Sequence, residues 1–477
     1  MDLWPVNRPR VVLGTYGPAI LGAKFILGPK EVASHTHVIG LSGSGKSRLL
    51  VSKFTQLLSQ GVACCLIDPH ADLAHDALAL LADKGFFRRP DAFTKLLYID
   101  FARRDRFIPF NVLSQPYDSH TVAQNVAEVF KRAWPALAEG AAPQFENILL
   151  ASVYVLIENQ IPLTSLPKLL TDKPFREELL RSIADLHIVE FFHERFDHWG
   201  RDTPLMLEST LRRIFLLTFN PILRYSLGQR QNLLNFRQLM DSGTSVIFNL
   251  GGLDEETQRF LGCLLTVGFE QAALSRADLP AHQRTQYQLL IDEFSMFSAQ
   301  TEESLARVLS LARKYSLYLT LAHQTWSQIS EKLRGGLQNC VEIAFKLGRS
   351  DATMSAPIFG QFDPFLIKHE IPDLTDRSHP IFFIMQEEFE SWAQALEGLK
   401  TREAYVRVGN RASKIRTLNV PTPKCTPEQL AEIIERYAHL LLVPKDQIAA
   451  AFEPANNPAR GQLVFRAVPI SPNDNKH

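Results

Sequence analysis

His37-Val38-Ile39-Gly40-Leu41-Ser42-Gly43-Ser44-Gly45-Lys46-Ser47 reads as a short apolar strand, a glycine-rich turn and the start of a helix. The turn fits G-x-x-x-x-G-K-[ST], and an apolar helical run of Leu49, Leu50, Phe54, Leu57 and Leu58 follows it. Glycines let such a backbone curl until its N–H groups face a phosphate, and the positive end of the helix adds to the attraction. In this reading Gly40, Leu41, Ser42, Gly43, Ser44, Gly45, Lys46, Ser47 and Arg48 bind the phosphates of a nucleotide. Lys46 reaches the β- and γ-phosphates, and the Ser47 hydroxyl takes Mg2+.

A phosphate loop with Mg2+ needs a carboxylate at a neighbouring strand end. Gln288-Leu289-Leu290-Ile291-Asp292-Glu293 supplies one, an apolar run ending in two acids. Asp292 is the expected metal partner, with Ser47. Glu293 is placed to polarise an attacking water, which points to hydrolysis. A further apolar run, Leu317–Ala322, ends at His323-Gln324, and an amide there would sit near the γ-phosphate.

Outward from these blocks, apolar runs recur at Val62–Ile67, Leu96–Ile99, Ser245–Leu250, Val341–Leu347 and Ile381–Met385. Nearly all-apolar runs suit strands buried on both faces of a mostly parallel sheet. Helical spacing, such as Leu305, Val308, Leu309 and Ala312, fills the gaps, so the fold class is α/β with helices flanking the sheet. Between Tyr117 and Arg237 the pattern turns helical, with Val122, Val126, Val129, Phe130 and Ala133 on one stripe. That segment reads as an inserted all-α domain. The expected division is therefore 1–116, 117–237, 238–410 and 411–477, the last holding a helix capped by Thr426, Pro427 and Gln429 and then a tail.

Of the 477 residues, 51 are Lys or Arg and 51 are Asp or Glu, which excludes a broadly basic DNA-coating protein and makes any nucleic-acid contact local. Five cysteines without C-x-x-C spacing argue against a disulfide framework or zinc site and for a reduced, cytoplasmic setting. No run approaches the ~20 apolar residues of a membrane span, and the start lacks a signal-peptide pattern.

Taken together, these blocks resemble the HerA/FtsK-type P-loop ring ATPases, and among them the TraD/TraG-type coupling proteins of type IV secretion and their soluble relatives. The resemblance runs from about Val32 to Val408 and includes Asp68-Pro69-His70-Ala71-Asp72, Pro109-Phe110-Asn111-Val112-Leu113 and Ser245–Leu250. It implies a RecA-like P-loop NTPase domain, a homohexamer that hydrolyses ATP between subunits, and translocation of DNA through the ring. It also implies that the helical insertion receives a substrate or protein partner at one mouth of the ring. In such relatives a Gly-Arg-Lys segment sends its arginine to the neighbour's γ-phosphate. Here Ala312-Arg313-Lys314 stands at that place, so Arg313 carries the role and Arg349 is the second candidate. Membrane-embedded coupling proteins begin with two transmembrane helices, and this sequence shows none. Docking on a secretion channel through a partner, or work beside a nuclease in DNA-end processing or phage defence, are both open, as are a nucleotide-gated scaffold and a protein-substrate motor.

Other clusters carry less. His193 and His198 are five apart, not on one helical face, so HERFDH is read as ordinary helix. Asp68 is a weak site candidate. Arg212, Arg213, Arg224 and Arg230 read as a DNA or partner patch or as a solvated helix face, and Lys332 and Arg334 as candidates to line a channel.

Overall fold

The computed structural model describes residues 9–17, 22–134, 142–198, 211, 214–298, 309, 311–337, 339–372 and 378–452. The strands are β1 (Val11–Thr15), β2 (Lys24–Leu27), β3 (Thr36–Ile39), β4 (Ala63–Asp68), β5 (Leu96–Asp100), β6 (Arg106–Phe107), β7 (Ser245–Asn249), β8 (Tyr287–Ile291), β9 (Leu317–His323), β10 (Val341–Ala344), β11 (Ile367–Pro372), β12 (Ser378–Phe382), β13 (Glu403–Val408), β14 (Arg411–Thr417) and β15 (Val443–Pro444). Eleven of them form one sheet in the order β2-β1-β14-β13-β10-β3-β9-β8-β4-β7-β5. From β10 to β5 every pairing is parallel, and from β2 to β10 every pairing is antiparallel.

β3, β4, β7 and β8 are buried at every residue because both faces of the sheet are covered. Within β4 the side chains divide by the two-residue period of a strand. Ala63, Cys65 and Ile67 join the cluster that includes helix Glu255–Ser275, while Cys64 and Leu66 join the one beneath helices Lys46–Ser59 and Asp72–Asp83. Neighbouring parallel strands are in register, with Ile67 opposite Ile291, Ile291 opposite Leu321 and Ile39 opposite His323. The residues just past these strands therefore share one edge of the sheet, where open α/β folds place their ligands.

Between β6 and β7 every described element is helical. Asp118 caps helix Ser119–Ala133 by accepting from the Thr121 amide, and the stripe from Val122 to Ala133 is buried. It faces helix Glu255–Ser275, where Arg132 and Glu270 make a two-pronged ion pair at 2.9 and 2.6 Å, both side chains out of water. Most of the buried apolar side chains of this helical segment belong to the same cluster as one face of the sheet, while Ile222 packs with Phe107 and Ile448.

The expected helix cap near the C-terminus is present. Thr426 and Gln429 form a capping box at the start of helix Pro427–Leu441. Its Tyr437 hydroxyl donates to the Leu96 carbonyl at 2.7 Å, so this helix covers the edge strand β5.

Three expectations change. The division at 410/411 falls inside the β13–β14 hairpin, so Arg411–Thr417 belongs to the central sheet. The Ile381–Met385 run is not a core strand: β12 is exposed throughout and, among the described residues, pairs only with β11, and Met385 begins a helix. The Val341–Leu347 strand ends at Ala344. Leu305, Val308 and the tail beyond Phe452 lie outside the described residues. Among the described residues, no helix is long and apolar enough to cross a membrane.

One buried charge on the phosphate-loop helix has a measurable consequence. Lys53 is 2% exposed, and its ammonium donates to the hydroxyls of Thr36 (2.9 Å) and Thr320 (2.8 Å). Burial pulls its pKa down to about 7. Between that value and the ordinary lysine pKa, the unfolded chain binds a proton that the folded chain does not, so stability rises with pH across that window. Relative to Lys53→Met, the wild type is expected to gain about 2 kcal/mol between pH 7 and pH 9, read from denaturant unfolding at each pH. A flat difference between the two curves would show that Lys53 stays charged inside the fold.

Candidate nucleotide site

The phosphate loop runs from Gly40 at the end of β3 to helix Lys46–Ser59, as the motif requires. Two glycines are fixed by sterics. A Cβ on Gly40 would lie 2.6 Å from the Cβ of Phe345, and Gly45 adopts φ +121°, which L side chains rarely tolerate. Lys46 is 5% exposed, and its ammonium donates to the carbonyls of Gly40 at 2.5 Å and Leu41 at 3.3 Å. Burial holds its pKa below the ordinary lysine range, against the pull of Glu293 and Asp292.

The acidic pair arrives from β8. Ser47 Oγ donates to Asp292 Oδ2 at 3.4 Å, which brings the two expected metal ligands together across the loop. Burial, then the neighbouring Glu293 and Asp68 carboxylates, push the Asp292 pKa up to about 6. A hydroxyl oxygen beside a carboxylate destabilised by burial fits a hard divalent cation such as Mg2+. Glu293 has φ +45°, a left-handed conformation uncommon outside glycine, and this aims its side chain across the cleft. There Gln324, one residue past β9, donates from Nε2 to Glu293 Oε1 at 2.9 Å. Ser42 to Arg48, Asp292, Glu293 and Gln324 all border, apart from Ser44, one cleft of about 500 Å³, a volume suited to a nucleotide.

Other candidates fall elsewhere. Asp68 is fully buried and accepts from the amides of His70 and Ala74, both at 2.8 Å, so it caps the turn into helix Asp72–Asp83 while also lining the cleft. Arg48 pairs with Asp76 at 3.0 Å on the cleft wall. Arg313 is exposed and lies just before β9, close enough to act on His35 before β3 and Cys340 before β10. Those positions are at the amino ends of the strands, so Arg313 does not join the cleft of its own chain. Arg349 stands on the correct edge, but Glu390 (2.5 Å) and Glu397 (3.1 Å) hold its guanidinium. His193 pairs with Glu177 and His198 bonds the His193 carbonyl. Arg224 reaches the Thr218 carbonyl, and Arg334 is anchored to the carbonyls of Trp326 and Ile329. Arg212, Arg213 and the Lys332 side chain lie outside the described residues.

Sequence reasoning missed one wall of the cleft, formed by Thr401, Arg402, Leu418, Asn419 and Val420. Arg402 has φ +71°, its amide donates to the Ser44 carbonyl at 3.0 Å, and its guanidinium donates to the Thr417 carbonyl at 2.9 Å. No motif marks these residues. They reach the phosphate loop because β13 and β14 pair next to β10, which lies beside β3.

A mostly parallel sheet flanked by helices, with a glycine-rich loop after one strand and an Asp-Glu pair after another, defines a P-loop NTPase fold. Solved structures share it. Plasmid coupling protein TrwB in complex with the GTP analogue GDPNP aligns at TM-score 0.54 and 17% identity, over 84% of this chain and 89% of that one. TrwB in complex with ADP and Mg2+ aligns at TM-score 0.54 and 17% identity, over 90% and 99%. VirB4 of Thermoanaerobacter pseudethanolicus aligns at TM-score 0.55 and 14% identity, over 86% and 96%. These are FtsK/HerA-type P-loop ATPases, so the resemblance drawn from the motif blocks is borne out at the level of fold. No protein-family model matches the chain, and no curated protein matches it in sequence.

Proposed function

We propose that the chain is an ATP-hydrolysing motor that works as a homohexameric ring and translocates DNA in the manner of a coupling protein. The observation that carries this reading is the convergence of Lys46, Ser47–Asp292 and Gln324–Glu293 on one cleft. Lys46 would neutralise the β- and γ-phosphates, and Ser47 and Asp292 would hold Mg2+. Bound there, Mg2+ would offset charge on the phosphate oxygens. Glu293 would take a proton from the attacking water, and the Gln324 amide would orient that carboxylate. The TrwB complexes with ADP and Mg2+ and with an ATP analogue support this choice of ligand. Arg313, remote from its own cleft, would serve a neighbouring subunit. A cytoplasmic motor, in conjugation or another type IV secretion role, fits this reading.

A protein-substrate motor or nucleotide-gated scaffold is the second reading, and one feature favours it. Phe215 and Phe219 in the helical segment stack at 5.3 Å while remaining 55% and 69% exposed, a surface suited to a protein partner.

Steady-state ATP hydrolysis with and without single- and double-stranded DNA, at low salt, separates the two readings, with Lys46→Ala as the blank. A DNA motor is expected to speed up several-fold with one strand form. Turnover indifferent to DNA but raised by a polypeptide would favour the second reading. Rings mixed from Lys46→Ala and Arg313→Ala subunits are expected to regain activity, because some interfaces then hold both groups intact. Silent mixed rings that have demonstrably assembled would remove Arg313 from the site.

A further inference from the structure

Behind Gln324 lies a chain of polar groups that the hydrolysis scheme does not use. Glu342 of β10 lies opposite His37 of β3, and His323 of the next strand, β9, lies two positions further along, at 1%, 0% and 0% exposure. Glu342 Oε2 is 2.5 Å from His37 Nδ1, His37 Nε2 is 2.7 Å from His323 Nε2, and His323 Nδ1 is 2.9 Å from the Thr325 carbonyl. Trp326 closes over both rings, with centroids 5.0 and 5.5 Å away, and its own amide donates to Asp351.

The direction of the bonds from His37 onward follows from counting protons. A carbonyl only accepts, so His323 must carry its proton on Nδ1. Burial keeps His323 well below the ordinary histidine pKa, so the ring is neutral and its Nε2 is bare. His37 must then donate through Nε2, which leaves one further proton in the Glu342–His37 bond. From His37 onward the chain runs one way, through His323 to the Thr325 carbonyl, and Glu342 anchors its far end. That carbonyl belongs to the residue after Gln324, so the chain fixes the turn from which the Gln324 amide reaches Glu293.

We propose that Glu342, His37 and His323 form a proton-directed chain of positioning residues that holds Gln324 against Glu293. The proposal rests on the ATPase reading, and its test separates the two. Glu342→Leu removes the terminal partner, and the two rings can then reverse their tautomers and turn a lone pair toward the Thr325 carbonyl. The kcat for ATP hydrolysis is expected to fall about tenfold with KM within about twofold, since a misplaced catalytic group costs turnover before binding. Glu342→Gln can still donate an N–H to His37 Nδ1, preserves the direction, and is expected to recover kcat to within about threefold of wild type. In a Gln324→Ala background, Glu342→Leu is expected to add less than about twofold, because both changes disable one device.

Losses that multiply in the double variant, or a change confined to KM, would overturn the proposal. If Glu342→Leu does not fold, nitrogen-15 spectra of the wild-type histidines decide it. His323 protonated on Nδ1 supports the chain, and His323 protonated on Nε2 overturns it. A wild type without turnover would sink the ATPase reading instead, and the same spectra would still test the chain.

Discussion

Glu293→Gln is expected to lower the rate of ATP hydrolysis by about 10²–10⁴-fold, the range that general-base catalysis contributes. The change is nearly isosteric. The Gln324 amide can still donate to the new side chain's carbonyl oxygen, so the 2.9 Å contact need not be lost. Nucleotide binding should survive, since the phosphate loop and the Ser47–Asp292 pair are untouched. Removing one carboxylate also removes the second-largest cause of the raised Asp292 pKa, which favours the ionised form a metal needs. Single-turnover hydrolysis beside ADP binding measures both effects. A rate loss below about tenfold would show that the base lies elsewhere.

Lys46→Ala strikes the other half of the site. Its ammonium is the one buried cation of the phosphate loop, and charge-assisted bonds of this kind are worth about 1.5–3 kcal/mol each. Losing the bond to the β-phosphate, the one that ADP can make, is expected to weaken ADP binding by about 10–10²-fold, and losing both is expected to abolish ATP turnover. The fold should be little affected, because the Gly40 and Leu41 carbonyls released by the change belong to the loop beside the open cleft. Melting without ligand is expected to stay within a few degrees of wild type. ADP at a hundred times the wild-type Kd stabilises the wild type by about 2.7 kcal/mol, and this should fall to between about 0.4 and 1.4 kcal/mol. An undiminished ADP-induced shift would mean that Lys46 does not face the phosphates.

Much of this site was legible because its chemistry is written in adjacent residues. Gly40 to Ser47 are consecutive, Asp292 and Glu293 follow an apolar strand, and Gln324 follows another. Parallel strands in register then bring those ends together without further information. Thr426 and Gln429 were equally plain, since a helix cap is a local exchange of hydrogen bonds. Ile381 to Met385 misled because an apolar run reports hydrophobicity, not its partner, and here it forms part of an exposed hairpin. Arg349 was a fair candidate by position, yet two glutamates from a later helix neutralise it, and their arrival could not be read from residues around 349.

By itself, the sequence determined what depends on neighbours along the chain: the phosphate loop, the acidic strand end, the alternation of strands and helices, and the helical character of the segment before β7. Only the tertiary structure decided what depends on which distant segments meet. It joined β1 and β2 from the start of the chain to β13 and β14 from its end, and so set Arg402 against the loop at Ser44. It also aligned Glu342, His37 and His323, which are separated by up to 305 positions. The physical reason is that local signals arise from steric limits and hydrogen bonds within a few residues. The pairing of remote strands is chosen by burial of whole faces, to which each residue contributes only a little.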